Sequence, residues 1–351
     1  MVTQTTAWVL KDQQGIDSLQ LVENHPVPTL KDEEVLVKLH AVSLNYRDIV
    51  IAKGEPQLPC FTPNVTPASD GAGIVEAVGS RVNSFKPGDR VCTHLVSQLP
   101  PSDAPNFLDI NSGLGQHLDG TLRRQGTFHE SALVSMPAGL DFLQASTLTC
   151  SGLTAWNALF GLEAQAPRKG SSVLVQGTGG VSIAALQFAL AAGSTVIATT
   201  STDAKAERLR SLGAHHVINY RTTPAWGEVA KSLTQNSVGV DIVVDVGGLS
   251  TLAQSLKALR TNGLVAVTGL LGKPEDQIAI PSLLDCLVNV CTARGILLGT
   301  RDQFHAMNQF IAEKEIKPII DEKMFSLQEA KEAYKYLEQQ KHFSKVCIQL
   351  E

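Results

Sequence analysis

The chain reads as an α/β protein in two parts, a doubly wound parallel sheet and a remainder rich in short β-strands. Three observations carry this. From residue 172 onward, continuous apolar runs alternate with helical patterns, the signature of parallel strands covered on both faces. The first of those runs enters a glycine turn, Gly177-Thr178-Gly179-Gly180, and leaves it as a helix. Before Cys150 the texture differs: Val35, Val37 and Leu39 alternate with polar residues, and Pro63, Pro67, Pro87 and Gly88 punctuate short strands.

Taken in order, the first part offers strands at 34–40, 73–78 and 89–93. A polar stretch at 95–126 follows, with Pro100-Pro101, Pro105, Asn111, Gly113 and Gly115. A loop this long is uncommon in a compact domain and is usually functional or mobile. Phe107, Leu108, Leu114 and Phe128 are available to line a substrate entrance there. The second part offers strands at 173–176, 195–199, 217–219, 240–245, 264–268 and 293–298, with helices at 181–192, 204–212 and 251–259. Near the end, Ser326 precedes Glu329 by three residues, a capping box. Leu327, Ala330, Ala333, Tyr334 and Leu337 then recur at helical spacing, and 345–349 reads as a closing strand.

With 351 residues the chain has room for two cores. Its net charge of −5 gives no electrostatic footprint for nucleic acid or an anionic membrane. The six cysteines are scattered, with no C-x-x-C pair, which fits reduced thiols and a cytoplasmic location. The first ten residues show no basic segment leading into an apolar core, so no signal peptide is expected. No apolar run reaches the length of a membrane helix.

The glycine turn carries the most chemistry. Gly177 permits a tight turn, and Gly179 lets the backbone approach a pyrophosphate. The helix that begins at Gly180 and Val181 presents unpaired N–H groups to that anion. Ser182 stands where the G-x-G-x-x-G pattern has its third glycine. The surrounding strand–turn–helix makes this a dinucleotide site. The second strand ends Thr199-Thr200-Ser201-Thr202, with no acid to accept from a ribose 2′-hydroxyl. Thr200, Ser201, Lys205 and Tyr220 suit a 2′-phosphate, so NADPH is expected. Asp203 as a displaced acid would select NADH, and that alternative stays open.

The ordered motifs resemble the medium-chain dehydrogenase/reductase superfamily. They are Leu44-Asn45-Tyr46-Arg47-Asp48, Ser69-Asp70-Gly71-Ala72-Gly73, Lys86-Pro87-Gly88-Asp89-Arg90-Val91, Gly152-Leu153-Thr154-Ala155-Trp156, the glycine turn, Arg294-Gly295 and Lys345-Val346. The resemblance covers essentially the whole chain. It implies a GroES-like, partly open β-barrel catalytic domain from 1–150 and 298–351, and a Rossmann-type NADP-binding domain from 151–297. It also implies a homodimer.

Within that superfamily the chain resembles the zinc-free quinone and enone reductases. Asn45 stands where the zinc alcohol dehydrogenases have a cysteine, and Ser69 where they have a histidine. Only Cys150 falls at a third ligand position. No metal is expected. The resemblance places Asn45, Tyr46, Ser69 and Cys150 near the nicotinamide, with Thr154, Thr268 and Gly269 against the cofactor and Lys345 on its phosphates. Asn45 would donate to a substrate carbonyl and Tyr46 would supply a proton. The implied activity is NADPH-dependent reduction of a C=C bond conjugated to a carbonyl. Two other readings stay open, a zinc-free alcohol dehydrogenase or ketoreductase and a non-catalytic NADPH sensor.

Overall fold

The computed structural model describes residues 4–56, 58, 60–269 and 280–350. The chain divides into two compact units, Met1–Leu153 with Thr300–Glu351, and Thr154–Gly299. The junctions fall a few residues after those expected.

The first unit opens with strands β1 (Gln4–Leu10) and β2 (Leu19–Pro26), an antiparallel pair that sequence reading missed. Strands β3 (Glu34–Ser43), β4 (Asp70–Val78), β5 (Arg90–Thr93), β6 (Gln125–His129) and β7 (Leu133–Ser135) follow. The second unit supplies β8 (Ser172–Gln176), β9 (Thr195–Thr200), β10 (His216–Asn219), β11 (Val240–Asp245), β12 (Leu259–Val267) and β13 (Thr292–Gly295). The tail returns to the first unit with β14 (Ile320–Ser326) and β15 (Lys345–Gln349).

In the first unit the sheet order is β14-β15-β3-β4-β5-β7, with β6 also pairing β3. Strand β3 is central, and its expected alternation holds: Val35, Val37 and Leu39 are buried. Its end pairs with β15, Cys347 opposite Ser43. That register sets Lys345, from the far end of the chain, beside Leu44 and Asn45.

The stretch 95–126 is an ordered part of this unit. It contains a short helix, Phe107–Asn111. Arg47 anchors it, donating from Nη1 to the Leu114 carbonyl at 3.1 Å and from Nη2 to Gln116 Oε1 at 3.1 Å. Phe107 and Leu108 are exposed, as an entrance would need. Leu114 and Phe128 are buried and drop out of that role; Phe128 lies under the buried guanidinium of Arg123.

The second unit is a six-stranded sheet of order β10-β9-β8-β11-β12-β13, with every neighbour parallel. Val173, Leu174, Val175, Val243, Val244 and Val265 are fully buried, which is why these strands read as unbroken apolar runs. The order reverses between β8 and β11. Ligands of such sheets bind beyond the carboxyl ends of the strands at that switch point. The helix Gly180–Ala191 leaves β8 there. The helix Leu153–Phe160 is held to β13 by Arg294, which donates to the Asn157 carbonyl at 2.8 Å and to Asn157 Oδ1 at 2.7 Å. No helix among the described residues is long and apolar enough to cross a membrane.

Candidate active site

Two constellations carry chemistry, one in each unit. In the second unit Gly177 has φ of 75°, a left-handed conformation that glycine adopts at least cost. A Cβ placed on Gly177 or Gly179 would meet nothing among the described residues within 4 Å. The space over the turn is therefore open, and it lies at the start of the helix Gly180–Ala191. The N–H groups of that first turn have no intrahelical acceptor, so the turn fits a pyrophosphate. Gly180 and Val181 begin the helix and are partly exposed, while Thr178 is mostly buried.

Ser182, the departure from the glycine pattern, is buried and donates from Oγ to the Gln176 carbonyl at 2.6 Å. A small hydroxyl thus tightens the helix onto the strand. Beneath the turn lies a network that the sequence did not disclose. Asp245 ends β11 fully buried. It accepts from Gly248 N (2.7 Å), Thr251 Oγ1 (2.9 Å), Ser255 Oγ (2.5 Å) and Gln176 Nε2 (3.1 Å). Gln176 Oε1 in turn accepts from Val246 N and Gly247 N. Thr268 and Gly269 both bond the Asp245 carbonyl, and Thr268 spends its hydroxyl there as well as its N–H.

At the end of β9, Thr200 is buried and Ser201 half-buried. Tyr220 is exposed at the end of β10, where its N–H donates to the Thr200 carbonyl at 3.0 Å. Asp203 is engaged by Asn219 Nδ2 at 3.1 Å. Arg221, exposed beside Tyr220, is a further cation that sequence reading passed over. Thr154 is buried.

The first unit holds a buried polar cluster. The Lys345 ammonium donates to the Leu44 carbonyl at 2.8 Å, Asn45 Oδ1 at 2.5 Å and Asp70 Oδ2 at 3.3 Å. This corrects the expectation that Lys345 serves the cofactor's phosphates. Its three N–H groups are committed to protein oxygens, and its side chain is only 4% exposed. Ser69 Oγ donates to Asp70 Oδ1 at 2.8 Å, and Cys150 N to Asp70 Oδ2 at 3.3 Å. Ser151 Oγ adds a bond to Asn45 Oδ1 at 3.3 Å. Cys150 and Ser151 sit on an i→i+5 turn, Leu148–Gly152, a winding common at functional sites.

Asn45 Nδ2 is buried with no partner among the described residues. Leaving such a group unmet costs about 1–3 kcal/mol; it is one of several such buried atoms among the described residues. Tyr46, the first residue of the helix Tyr46–Lys53, is 39% exposed and stands outside the buried cluster. Burial, with Asp70 nearby, pushes the Cys150 thiol up to about 12, so it stays protonated and is a poor nucleophile. No group of three or more His, Cys, Asp or Glu side chains able to hold a metal gathers among the described residues.

Asp48 caps the same helix, its Oδ2 accepting from Asn45 N at 2.7 Å. Burial pushes its carboxyl from 3.8 up to about 6, against the pull of Arg47. Between those values the folded chain keeps a proton that the unfolded chain has released. Stability therefore falls as pH rises through roughly 4 to 6, by about 3 kcal/mol, and levels above that. Asp48→Asn, which keeps the cap but cannot ionise, should be more stable than the wild type at pH 8. In denaturant titrations that margin should vanish toward pH 4. A constant margin would show that Asp48 is not the titrating group.

Comparison with known proteins gives a consistent picture. Residues 31–138 match the family model described as alcohol dehydrogenase GroES-like domain, and 180–313 the one described as zinc-binding dehydrogenase. A zinc-type alcohol dehydrogenase-like protein of Schizosaccharomyces pombe is 41% identical over 347 residues, 98% of this chain and 99% of that protein. A human quinone oxidoreductase is 31% identical over 274 residues, covering 76% of this chain and 74% of the relative. A solved NAD-dependent alcohol dehydrogenase superposes with a TM-score of 0.85 at 30% identity, covering 99% of this chain and 100% of that one.

Proposed function

The chain belongs to the medium-chain dehydrogenase/reductase superfamily, whose members are oxidoreductases binding a nicotinamide dinucleotide, and from that premise we propose that it is an NADPH-dependent, zinc-free reductase of conjugated C=C/carbonyl acceptors such as quinones and enones. One observation carries the reading. At two of the positions where zinc enzymes of the superfamily have ligands, the side chains are engaged by neighbouring protein groups. Asn45 Oδ1 faces an ammonium, and the Ser69 hydroxyl is spent on Asp70. A cation 2.5 Å from a would-be ligand oxygen repels a dication, and an amide and a hydroxyl are poor ligands for zinc. The residues do not fit zinc.

Bound NADPH supplies the hydride. The glycine turn holds its pyrophosphate, and Lys205, Tyr220 and Arg221 meet the 2′-phosphate, the Asp203 carboxylate being engaged by Asn219. Asn45 Nδ2 donates to the acceptor's carbonyl oxygen and stabilises the enolate that forms as hydride reaches the β-carbon. Tyr46 or water then protonates the α-carbon. Conjugation activates the acceptor in advance, which suits a site whose donor is a neutral amide rather than a Lewis acid. Lys345 contributes no phosphate contact in this scheme.

We extend the proposal to a homodimer and a cytoplasmic location. The helix Leu283–Asn289 exposes Leu283, Leu284, Leu287 and Val288 and leads in sequence into β13, the edge strand of the sheet among the described residues. An apolar face next to an open strand edge suits a self-complementary, two-fold contact.

The test is NADPH oxidation with menadione, cyclohex-2-enone and cyclohexanone, repeated with NADH. Turnover of the first two and not the third, with NADPH preferred, is the expected outcome. Turnover of cyclohexanone alone would make this a carbonyl reductase. A preference for NADH would return Asp203 to the 2′-hydroxyl.

A further inference from the structure

The cluster around Asn45 is more elaborate than a hydrogen-bond donor requires. An ammonium has three donors and no acceptor, so it can face only the oxygen end of a carboxamide. Lys345 does so at 2.5 Å, and Ser151 Oγ approaches the same oxygen at 3.3 Å. The lysine is itself fixed. Its backbone begins β15, whose Val346 carbonyl accepts from Leu44 N at 2.9 Å. Its remaining N–H groups go to the Leu44 carbonyl and to Asp70 Oδ2. Asp70 is in turn held by Ser69 Oγ and Cys150 N. Rotating the Asn45 amide by half a turn would press its NH₂ against the ammonium.

We propose that Lys345 is a positioning residue for the reduction. Held by Asp70, it pins the oxygen of Asn45 and so fixes the NH₂ end of that amide as the end offered to the substrate's carbonyl oxygen. This rests on the reading of Asn45 as the donor. The contact also polarises the amide, withdrawing electron density through its oxygen and making the N–H groups better donors. The ammonium and the Asp70 carboxylate cancel in charge, so the donor is strengthened without placing a net charge at the site. Asn45 Nδ2 has no accessible surface in this conformation.

The experiment is a mutant cycle on the full-length enzyme, using NADPH and whichever acceptor of the panel the wild type turns over. The variants are Asn45→Ala, the charge-neutral pair Lys345→Met with Asp70→Asn, and all three changes together. Asn45→Ala is expected to lower kcat at least tenfold with the NADPH KM little changed. The charge-neutral pair should lower it comparably, and the triple variant should fall no further, because the lysine acts through the amide. Lys345→Gln with Asp70→Asn, which restores a neutral N–H to the Asn45 oxygen, should recover part of kcat. It also serves if the methionine variant does not fold. Unfolding midpoint and NADPH binding are measured for each variant, so that loss of fold is not read as loss of rate.

Multiplicative losses in the triple variant would overturn the proposal, as would an unchanged kcat in the charge-neutral pair or no recovery with glutamine. A wild type active only on cyclohexanone would contradict the proposed acceptor class, yet the same cycle would still decide whether Lys345 works through Asn45.

Discussion

Gly179→Val is expected to leave the fold standing and remove the cofactor. Gly179 has φ of −79° and ψ of 174°, extended values that valine adopts without strain. A Cβ there meets nothing among the described residues within 4 Å. Valine is a poorer helix cap than glycine, so the stability change should stay within about 1 kcal/mol. The added methyl groups nonetheless fill the space where a pyrophosphate approaches the first helical turn. Losing two charge-assisted bonds of about 1.5–3 kcal/mol each weakens NADPH roughly a hundredfold or more. Fluorescence titration with NADPH beside a denaturant curve checks both halves. Unchanged affinity would place the pyrophosphate elsewhere.

Asp245→Ala is expected to damage the fold from beneath the cofactor turn. Its carboxylate satisfies Gly248 N, Thr251 Oγ1, Ser255 Oγ and Gln176 Nε2 in a site with no solvent access. Thr251 Oγ1 retains the Gly248 carbonyl, but alanine deprives the Gly248 N–H, the Ser255 hydroxyl and one Gln176 N–H of their acceptor; each orphan costs about 1–3 kcal/mol, so the loss should reach at least about 3 kcal/mol. Because Gln176 immediately precedes the glycine turn, NADPH binding should weaken in parallel. NADPH should then raise the unfolding midpoint less than in the wild type. A loss below about 1 kcal/mol would mean that the network relaxes onto other partners, contrary to its role as the brace under the turn.

The parallel sheet was legible because strands buried on both faces are written as local apolar runs. Val240–Asp245 and Ser172–Gln176 needed no tertiary information. The cap of Ser326 and Glu329 was legible for the same reason, the amide of Ser326 meeting Glu329 Oε2 at 2.9 Å. Strand 293–298 was placed slightly late, the pairing with β12 running over Thr292–Gly295. β2 escaped notice because its burial pattern does not alternate.

The candidate site was legible in its residue types and not in its wiring. Asn45, Ser69 and Cys150 were singled out, yet the group that binds Asn45 to Asp70 comes from 300 residues away. No local pattern announces such a partner, and a lone lysine near a chain end reads as a phosphate ligand. Leu114 and Phe128 were misjudged for a related reason, since an apolar residue in a polar stretch lines an opening or fills a core according to contacts made elsewhere. Ser182 showed the opposite case: an apparent defect in a motif proved to be a hydrogen bond closing it.

The most direct measurement is reduction of cyclohex-2-enone by NADPH in chelator-treated buffer, on protein whose zinc content has been determined. Far less than one zinc per chain is expected, with a rate that neither chelation nor added zinc alters, because Asn45 and Ser69 stand at two of the ligand positions and the Lys345 ammonium faces the Asn45 oxygen. One zinc per chain, with activity lost on chelation and restored by the metal, would contradict it.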